Sequence, residues 1–209
     1  INAGVTAAGQ LVDLNAGANG LTVDGGAITT TGGAGAAGGA IDIDSDGAVA
    51  INSNLVSSGG ANGGGVGFAG GAVTITTTGN TDTIVIGTGA DITTTGSAAG
   101  GGGAAGGAGG LVTFDTGNAL ITLNDTTIDT SGGAGNGNGA QGAGGAVTFS
   151  DEVALASDTV TITTGAMAGQ IDFAEIDGGQ ALTLTAGTGD INFNAAVGAG
   201  TPLGLVTIN

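Results

Sequence analysis

A six-residue pattern returns along the chain and restricts its fold more than any other feature of the sequence. Each copy begins with small residues, usually Gly-Gly, and continues with alternating apolar and polar residues. Alternation places the apolar side chains on one face of a short strand. Successive copies lie 24 to 39 residues apart. Aligned, they form two apolar columns: Val12, Ile41, Val73, Val112, Val147 and Ile171 in the first, and Leu14, Ile43, Ile75, Phe114, Phe149 and Phe173 in the second.

Repetition at this period indicates a solenoid, because one unit cannot bury its own apolar face and stacked neighbours supply the core. Two further strand-like segments follow each copy, so we predict an all-β fold, a parallel β-helix with about three short strands per rung. The repeat runs nearly from end to end and predicts one continuous module over 1–209. At an inter-strand spacing of about 4.8 Å, the module would advance roughly 30 to 35 Å.

The last part of the chain is predicted to complete a sixth rung and to open a seventh. We expect the sixth rung to use Ile171–Phe173, Ala181–Thr185 and Asp190–Asn194, and Leu205–Asn209 to begin the next rung. Val206 and Ile208 then take the next places in the two apolar columns, 35 residues after Ile171 and Phe173. Writing Ile1 directly after Asn209 continues the alternation, which predicts ends that are built to continue.

Glycine-rich segments separate the third strand of one rung from the first strand of the next. They should all protrude from one corner of the rod and form a contiguous ridge. Because glycine lets backbones lie close together, we expect extended segments that pack like polyproline II helices. The alternative is a set of flexible, solvated loops. The four segments are 32–39, 59–71, 96–110 and 132–145.

A column of hydroxyl residues precedes these loops and is predicted to point inward. Buried hydroxyls need partners, so they should bond either to each other or to backbone groups at the corner. We interpret this column as structural. Its members are Thr30, Ser57, Thr94, Thr130 and Thr164.

The charge of the chain excludes several classes of partner. There are 17 acidic residues and no Lys, Arg or His, which gives a net charge of −17. No side chain is available to neutralise phosphate, and this neutralisation supplies most non-specific affinity for nucleic acid. We therefore expect neither nucleic acid nor an anionic membrane as a partner. No apolar run approaches the ~18 residues that a membrane span needs, and no Cys is present for a disulfide.

An acidic segment near the start of the second rung is a candidate calcium site. Asp42, Asp44 and Asp46, followed by Gly47, match the beginning of a calcium loop. Asp13 should stack under Asp42, and facing like charges are unfavourable without a cation. Against this, the loop position that normally holds a bidentate Glu holds Ser. The alternatives are a calcium ion held by Asp13, Asp42, Asp44 and Asp46, or a solvated acidic face.

The segment 87–91 resembles one copy of the calcium-binding nonapeptide of β-rolls. A single copy has no tandem partner. A tight turn that uses glycine for positive φ explains the same residues.

Carboxylate pairs raise the question of catalysis, since parallel β-helices include polysaccharide hydrolases and lyases. Asp151 with Glu152, or Glu175 with Asp177, supply the acid and base that such a reaction needs. The sequence contains no Arg, Lys or His to surround a substrate and no Trp or Tyr to bind a sugar. We therefore expect a protein that is not an enzyme.

Threonines at alternate positions raise the further alternative of an ice-binding face. Thr29 with Thr31, and Thr93 with Thr95, would form part of a flat array. The file is interrupted by Val56 and Asp129 in the rungs between and beyond them. This alternative is accordingly disfavoured.

The end of the chain resembles a known family. The alternation over 181–193, followed by Ala196-Val197-Gly198 and by 202–208, is similar to the tandem β-strand repeats of giant bacterial surface adhesins, of the filamentous-haemagglutinin type. The resemblance is closest over 151–209 and at the start of the chain, and it is weaker in the middle, where the glycine-rich loops lie. It implies a secreted, surface-displayed, right-handed parallel β-helix, and it brings no catalytic residue with it.

These observations predict a structural protein, a non-catalytic segment of an extracellular filament or adhesin stalk on a bacterial cell surface. Its expected partners are copies of itself, joined head to tail either as covalent tandem repeats or as a homopolymer. Lateral association of rods is a further alternative. The competing hypothesis is a ligand-binding adhesin module that acts through the glycine-rich loops. Deleting these loops distinguishes the two, because a stalk keeps its function without them.

Overall fold

The computed structural model describes residues 1–209 as a stack of short strands. There are 21 strands, numbered here β1 to β21 in chain order, and no helix, so no helix is long and apolar enough to cross a membrane. All strand pairings are parallel and connect neighbouring rungs, and they form three sheets of seven, six and eight strands. Each rung visits sheet 1, then sheet 2, then sheet 3. The predicted parallel β-helix is confirmed.

Sheet 1 contains the repeated six-residue pattern, and its strands pair in the predicted register. Val12 lies beside Ile41, and Leu14 beside Ile43, so both apolar columns point into the rod. The column residues from the second rung to the sixth are fully buried. The strands are β2 (Val12–Ala16), β5 (Ile41–Ser45), β8 (Val73–Thr77), β11 (Val112–Asp115), β14 (Val147–Phe149), β17 (Ile171–Phe173) and β20 (Ile191–Phe193).

Sheet 2 forms the next face of the rod and follows sheet 1 after a short corner. It ends at β18, beyond which Val197 adds only a single bridge to Ile176. The strands are β3 (Leu21–Val23), β6 (Val49–Ile51), β9 (Ile84–Ile86), β12 (Ile121–Asn124), β15 (Val153–Ser157) and β18 (Ile176–Asp177).

Sheet 3 closes each rung and leads into the glycine-rich loops. Its central isoleucines are buried, and its hydroxyl column faces inward as predicted. The strands are β1 (Val5–Thr6), β4 (Ile28–Thr29), β7 (Leu55–Val56), β10 (Ile92–Thr93), β13 (Thr127–Asp129), β16 (Val160–Thr163), β19 (Leu182–Thr185) and β21 (Val206–Ile208).

The structure corrects the predicted strands of the sixth and seventh rungs. The second strand of the sixth rung is the two-residue β18, so β19 is its third strand and pairs with β16. Ile191 and Phe193 lie beside Ile171 and Phe173 and begin a seventh rung in sheet 1. The assignment of 181–185 and 190–194 to the second and third strands of the sixth rung was therefore wrong.

The prediction that Val206 and Ile208 extend the columns of sheet 1 was also wrong. They pair with Leu182 and Leu184 in sheet 3. At the other end, the backbone of Ile1 bonds to Thr22 and Asp24 at the edge of sheet 2. Since a strand of sheet 1 must follow a strand of sheet 3, placing Ile1 directly after Asn209 omits one strand of sheet 1 at the junction.

The core of the rod is a narrow column of aliphatic side chains with a stack of aromatic rings at one side. Phe114, Phe149, Phe173 and Phe193 stack with ring centroids 4.9 to 5.4 Å apart and planes within 7° of parallel. This spacing is close to the inter-strand distance, because each ring sits on one rung. Every buried polar side-chain atom has a hydrogen-bond partner. The stacked rungs therefore bury one continuous apolar core without an orphaned polar group.

Candidate functional site

The glycine-rich loops all leave sheet 3 and return to sheet 1, and each is closed at its base by a pair of hydrogen bonds. The Thr94 hydroxyl donates to the Gly110 carbonyl at 2.6 Å, and the Gly110 N–H donates back to the Thr94 carbonyl at 2.7 Å. We call this pair the neck clasp. The same two bonds close the loops that begin after Thr30, Ser57 and Thr130.

The fifth hydroxyl closes a much shorter connection. Thr164 donates to the carbonyl of Gly169 at 2.8 Å, across only five residues. All five hydroxyl residues are fully buried. The predicted hydroxyl column is therefore confirmed as structural, and its partners are corner carbonyls and not neighbouring hydroxyls.

Above the clasps, the loops form an ordered ridge that we call the flap. Each loop has an outgoing leg from sheet 3 and a return leg to sheet 1. Backbone bonds join equivalent legs of successive rungs: Gly70 N–H donates to Ala108 at 2.9 Å, and Gly109 N–H donates to Ala143 at 2.9 Å. The prediction of a contiguous, ordered ridge at one corner is confirmed.

The two layers of legs lie so close together that their contacts require glycine. A Cβ on Gly106 would stand 1.8 Å from the Gly133 carbonyl oxygen, and a Cβ on Gly109 would stand 1.8 Å from that of Thr130. Bonds such as Gly133 N–H to the Gly107 carbonyl, 2.8 Å, join the layers. Critical glycines recur three residues apart, which is the period of a polyproline II helix.

The candidate calcium residues lie on the outer side of sheet 1 and at its corner with sheet 2. Asp13 and Asp42 face each other across β2 and β5 as predicted. Asp44 and Asp46 line a cavity of about 300 Å³, where the Asp46 carboxylate accepts a hydrogen bond from Thr78 at 3.0 Å. No group of three or more carboxylates converges on one point that suits a metal. The geometry therefore gives the calcium prediction no support beyond the facing pair.

The surroundings of Asp42 shift its pKa. Partial burial raises the pKa of Asp42 above its ordinary value of 3.8, and the nearby charges of Asp44 and Asp13 raise it further. The chain has no Lys, Arg or His side chain to offset this repulsion.

The second calcium candidate, 87–91, forms the corner between β9 and β10. Gly89 has a φ of +71°, which glycine adopts without strain. The Asp91 carboxylate accepts the Thr127 N–H at 2.8 Å. These residues have a structural explanation as a corner turn.

In each carboxylate pair considered for catalysis, the Asp accepts a hydrogen bond from a backbone N–H, and both pairs lie outside the cavity. Asp151 accepts the Thr116 N–H at 2.7 Å, and Asp177 lies 3.1 Å from the Gly200 N–H. Glu152 and Glu175 lie at the corner between sheets 1 and 2. None of the four lines the cavity, and the residues that do line it are Asn15, Ala16, Gly17, Asp44, Ser45, Asp46 and Thr78.

Outward residues of sheet 3 form the interrupted threonine file that the sequence predicts. Thr29, Val56, Thr93 and Asp129 lie in register, so the interruption is real. Further along the rod, β16 and β19 place Thr161 beside Thr183 and Thr163 beside Thr185. The array is too short and too interrupted to form a uniform face.

Sequence reasoning missed the face that the return legs present to solvent. Residues such as Ala69 and Ala108 lie at every third position and are exposed, while the glycines between them pack inward. The sequence does contain a signal for this face, because apolar residues recur every three positions in Ala69-Gly-Gly-Ala72 and Ala108-Gly-Gly-Leu111.

Comparison with known proteins gives no matching family model, no matching curated protein and no matching solved structure.

Proposed function

We propose that this chain is a segment of a non-catalytic extracellular filament or adhesin stalk, displayed at a bacterial cell surface. The observation that carries the proposal is the exposure of apolar side chains in the last rung. Val206 and Ile208 are 39% and 59% exposed, and the ring of Phe193 is only half-buried on its open side. A solenoid end of this kind exposes core side chains and unpaired backbone, which further rungs satisfy.

Further rungs are supplied by strand addition from the next segment, either within one polypeptide or from another copy. The order of the sheets requires that the junction provide one strand of sheet 1 between β21 and the backbone of Ile1. A head-to-tail contact that does not close into a ring propagates into a filament. Backbone pairing along the axis then makes the rod stiff, and the absence of Lys and Arg leaves trypsin no site to cut.

The test is the length of the particles that this chain forms. Small-angle scattering should show rods that grow with concentration at constant cross-section, beyond the roughly 34 Å expected for seven rungs. Ile208→Asp, at the open strand, should reduce them to single modules. Thr183→Asp adds the same charge on the outer side of β19 and should leave the length unchanged. Particles of one module at every concentration would contradict end-to-end assembly.

The ordered flap favours a second candidate function, the binding of a ligand through the loops. A rigid surface binds with less loss of conformational entropy than a mobile loop. Replacing the interior of the third loop, 96–110, with that of the five-residue connection at 165–169 tests it. A binding module loses attachment to its target surface, whereas a stalk keeps its length and stability.

A further inference from the structure

The exposed large apolar side chains are confined to two places. Four of them belong to the last rung: Val197, Leu205, Val206 and Ile208. The other four lie at the corner that carries the flap: Leu11 (58% exposed), Val66 (62%), Leu111 (48%) and Met167 (38%). Solvent exposure of this kind, gathered on one surface, marks an interaction site more often than scattered apolar residues do.

Hydrogen bonds fix how these residues are arranged with the alanines of the return legs. Residues three apart lie on one side of a leg, and the N–H that follows each one donates to the equivalent carbonyl of the next rung. Three columns result, which we call the return face. The inner column is Leu11, Ala40, Ala72, Leu111 and Ala146; the middle column is Ala37, Ala69, Ala108 and Ala143; the outer column is Val66, Ala105 and Ala140.

Charge distinguishes the return face from the three sheets. No carboxylate stands in any of its columns. The outer side of sheet 1 carries Asp13 and Asp42, that of sheet 2 carries Asp177, and that of sheet 3 carries Asp129. Because the chain has no cationic side chain, two copies that meet through a sheet bring carboxylates together with no Lys, Arg or His to pair with them. The return face lets two copies meet without this cost.

We propose that the return face is a self-association surface, on which a second copy packs through its own return face about a two-fold axis. A two-fold contact uses the same patch on both partners. Methyl groups of the alanine columns alternate with glycine backbone. The return face of a second copy, shifted by half the spacing between columns, can therefore place its methyl groups over the glycines of the first. This proposal does not depend on end-to-end assembly, because the face lies along the side of the rod.

The area agrees with a weak contact per module. Columns three residues apart are separated by about 9 Å, and rungs by about 4.8 Å. Three columns over four rungs cover roughly 500 Å² on each copy, or roughly 1,000 Å² in total, which is the lower limit for a specific interface. In a long rod the contact repeats with every segment, so pairing strengthens steeply with length.

The outgoing legs supply a matched control surface. Their exposed alanines, such as Ala98 and Ala134, occupy the same kind of backbone and are joined between rungs in the same way. Their neighbouring column holds hydroxyl residues, with Ser58 and Thr95 bonded to each other at 3.0 Å, and no large apolar side chain.

Sedimentation equilibrium on the Ile208→Asp background removes end-to-end growth and isolates the lateral contact. We expect the mean mass to rise with concentration from one 18.9 kDa chain toward two. Ala108→Glu should raise the dimer dissociation constant at least tenfold, and Ala98→Glu should leave it unchanged. Both variants should keep the thermal midpoint of the parent, since both side chains are exposed.

Spin labels locate the contact, because the chain has no Cys of its own. A nitroxide on Ala108→Cys should show dipolar coupling between copies that is absent for Ala98→Cys. A monomer at all concentrations on this background overturns the proposal, whatever happens to the length of the parent rods. Equal weakening by Ala98→Glu and Ala108→Glu, or coupling at Ala98→Cys alone, also overturns it.

Discussion

Adding one methyl group at Gly106 is expected to force the two layers of the flap apart. The new Cβ would stand 1.8 Å from the Gly133 carbonyl oxygen and 2.4 Å from its carbonyl carbon. Both contacts are with backbone, so no side chain can rotate away. The layers must separate by roughly 1 Å, since interiors are already close-packed.

The energetic cost follows from the bonds that such a separation stretches. Gly107 N–H to Ser97 at 2.9 Å and Gly133 N–H to Gly107 at 2.8 Å join the two layers beside the new methyl group. Each contributes about 1 kcal/mol, so the flap loses about 2 kcal/mol. At about 2 to 4 °C per kcal/mol for a chain of this size, the thermal midpoint falls by about 4 to 8 °C if the flap and rod unfold together.

Calorimetry and amide hydrogen exchange measure the two parts of this prediction. Exchange at Gly107 and Gly133 should accelerate, while amides of sheet 1 such as Val112 keep their protection. Gly102→Ala is the control, because a Cβ there meets nothing within 4 Å. That variant should be neutral or slightly stabilising. Equal midpoints and equal exchange for the two variants would refute the close packing of the layers.

Other changes test the clasp and the acidic face. Thr94→Val should cost about 1 to 3 kcal/mol, because the Gly110 carbonyl loses its buried donor; Thr93→Val, on the outer side, should change the denaturation midpoint little. Asp42 has a higher pKa in the folded chain than in the unfolded chain, where the pKa is near 3.8. Its protonation therefore favours the folded state below pH 3.8, and this contribution to stability is lost as the pH rises through the pKa of the folded state. Asp42→Asn should therefore flatten the fall in thermal midpoint above pH 3.8 relative to Asp158→Asn. The thermal midpoint of the wild-type protein should be higher with calcium than with chelator only if the ion binds the folded state. An unchanged midpoint indicates solvated carboxylates.

The rungs were predictable where apolar and polar residues alternate along a strand and glycines mark its ends. From Val12 to Phe173 every column residue of sheet 1 lies in the predicted register, because a slip of one residue would turn the apolar side chains outward. Alternation failed at β18, where two residues, Ile176 and Asp177, form the whole strand. A strand of this length carries no periodicity, so the following segment was assigned to the wrong sheet.

The flap was predictable in outline and not in detail. Glycine content predicted close packing, but which glycines contact backbone depends on the pairing of legs between rungs, as for Gly106 with Gly133. The return face depends on the same pairing, since only hydrogen bonds between rungs place Ala69 beside Ala108. The acidic residues show the opposite case: sequence spacing suggested convergence of Asp42, Asp44 and Asp46. In the structure, Asp42 and Asp44 lie along the outer side of β5 and Asp46 lies at the corner that follows it.

The hydroxyl-to-carbonyl bond of the neck clasp makes the geometry of the rod independent of the length of the loop. Identical hydroxyl-to-carbonyl bonds close the five-residue connection after Thr164 and the loop of 96–110 after Thr94. The strand that follows each of these two bonds enters sheet 1 in the same register. Insertions and deletions between the two bonded residues therefore leave the register of the core strands unchanged. The loop surface can therefore vary from rung to rung in length and chemistry while the strands of the β-helix keep their pairing.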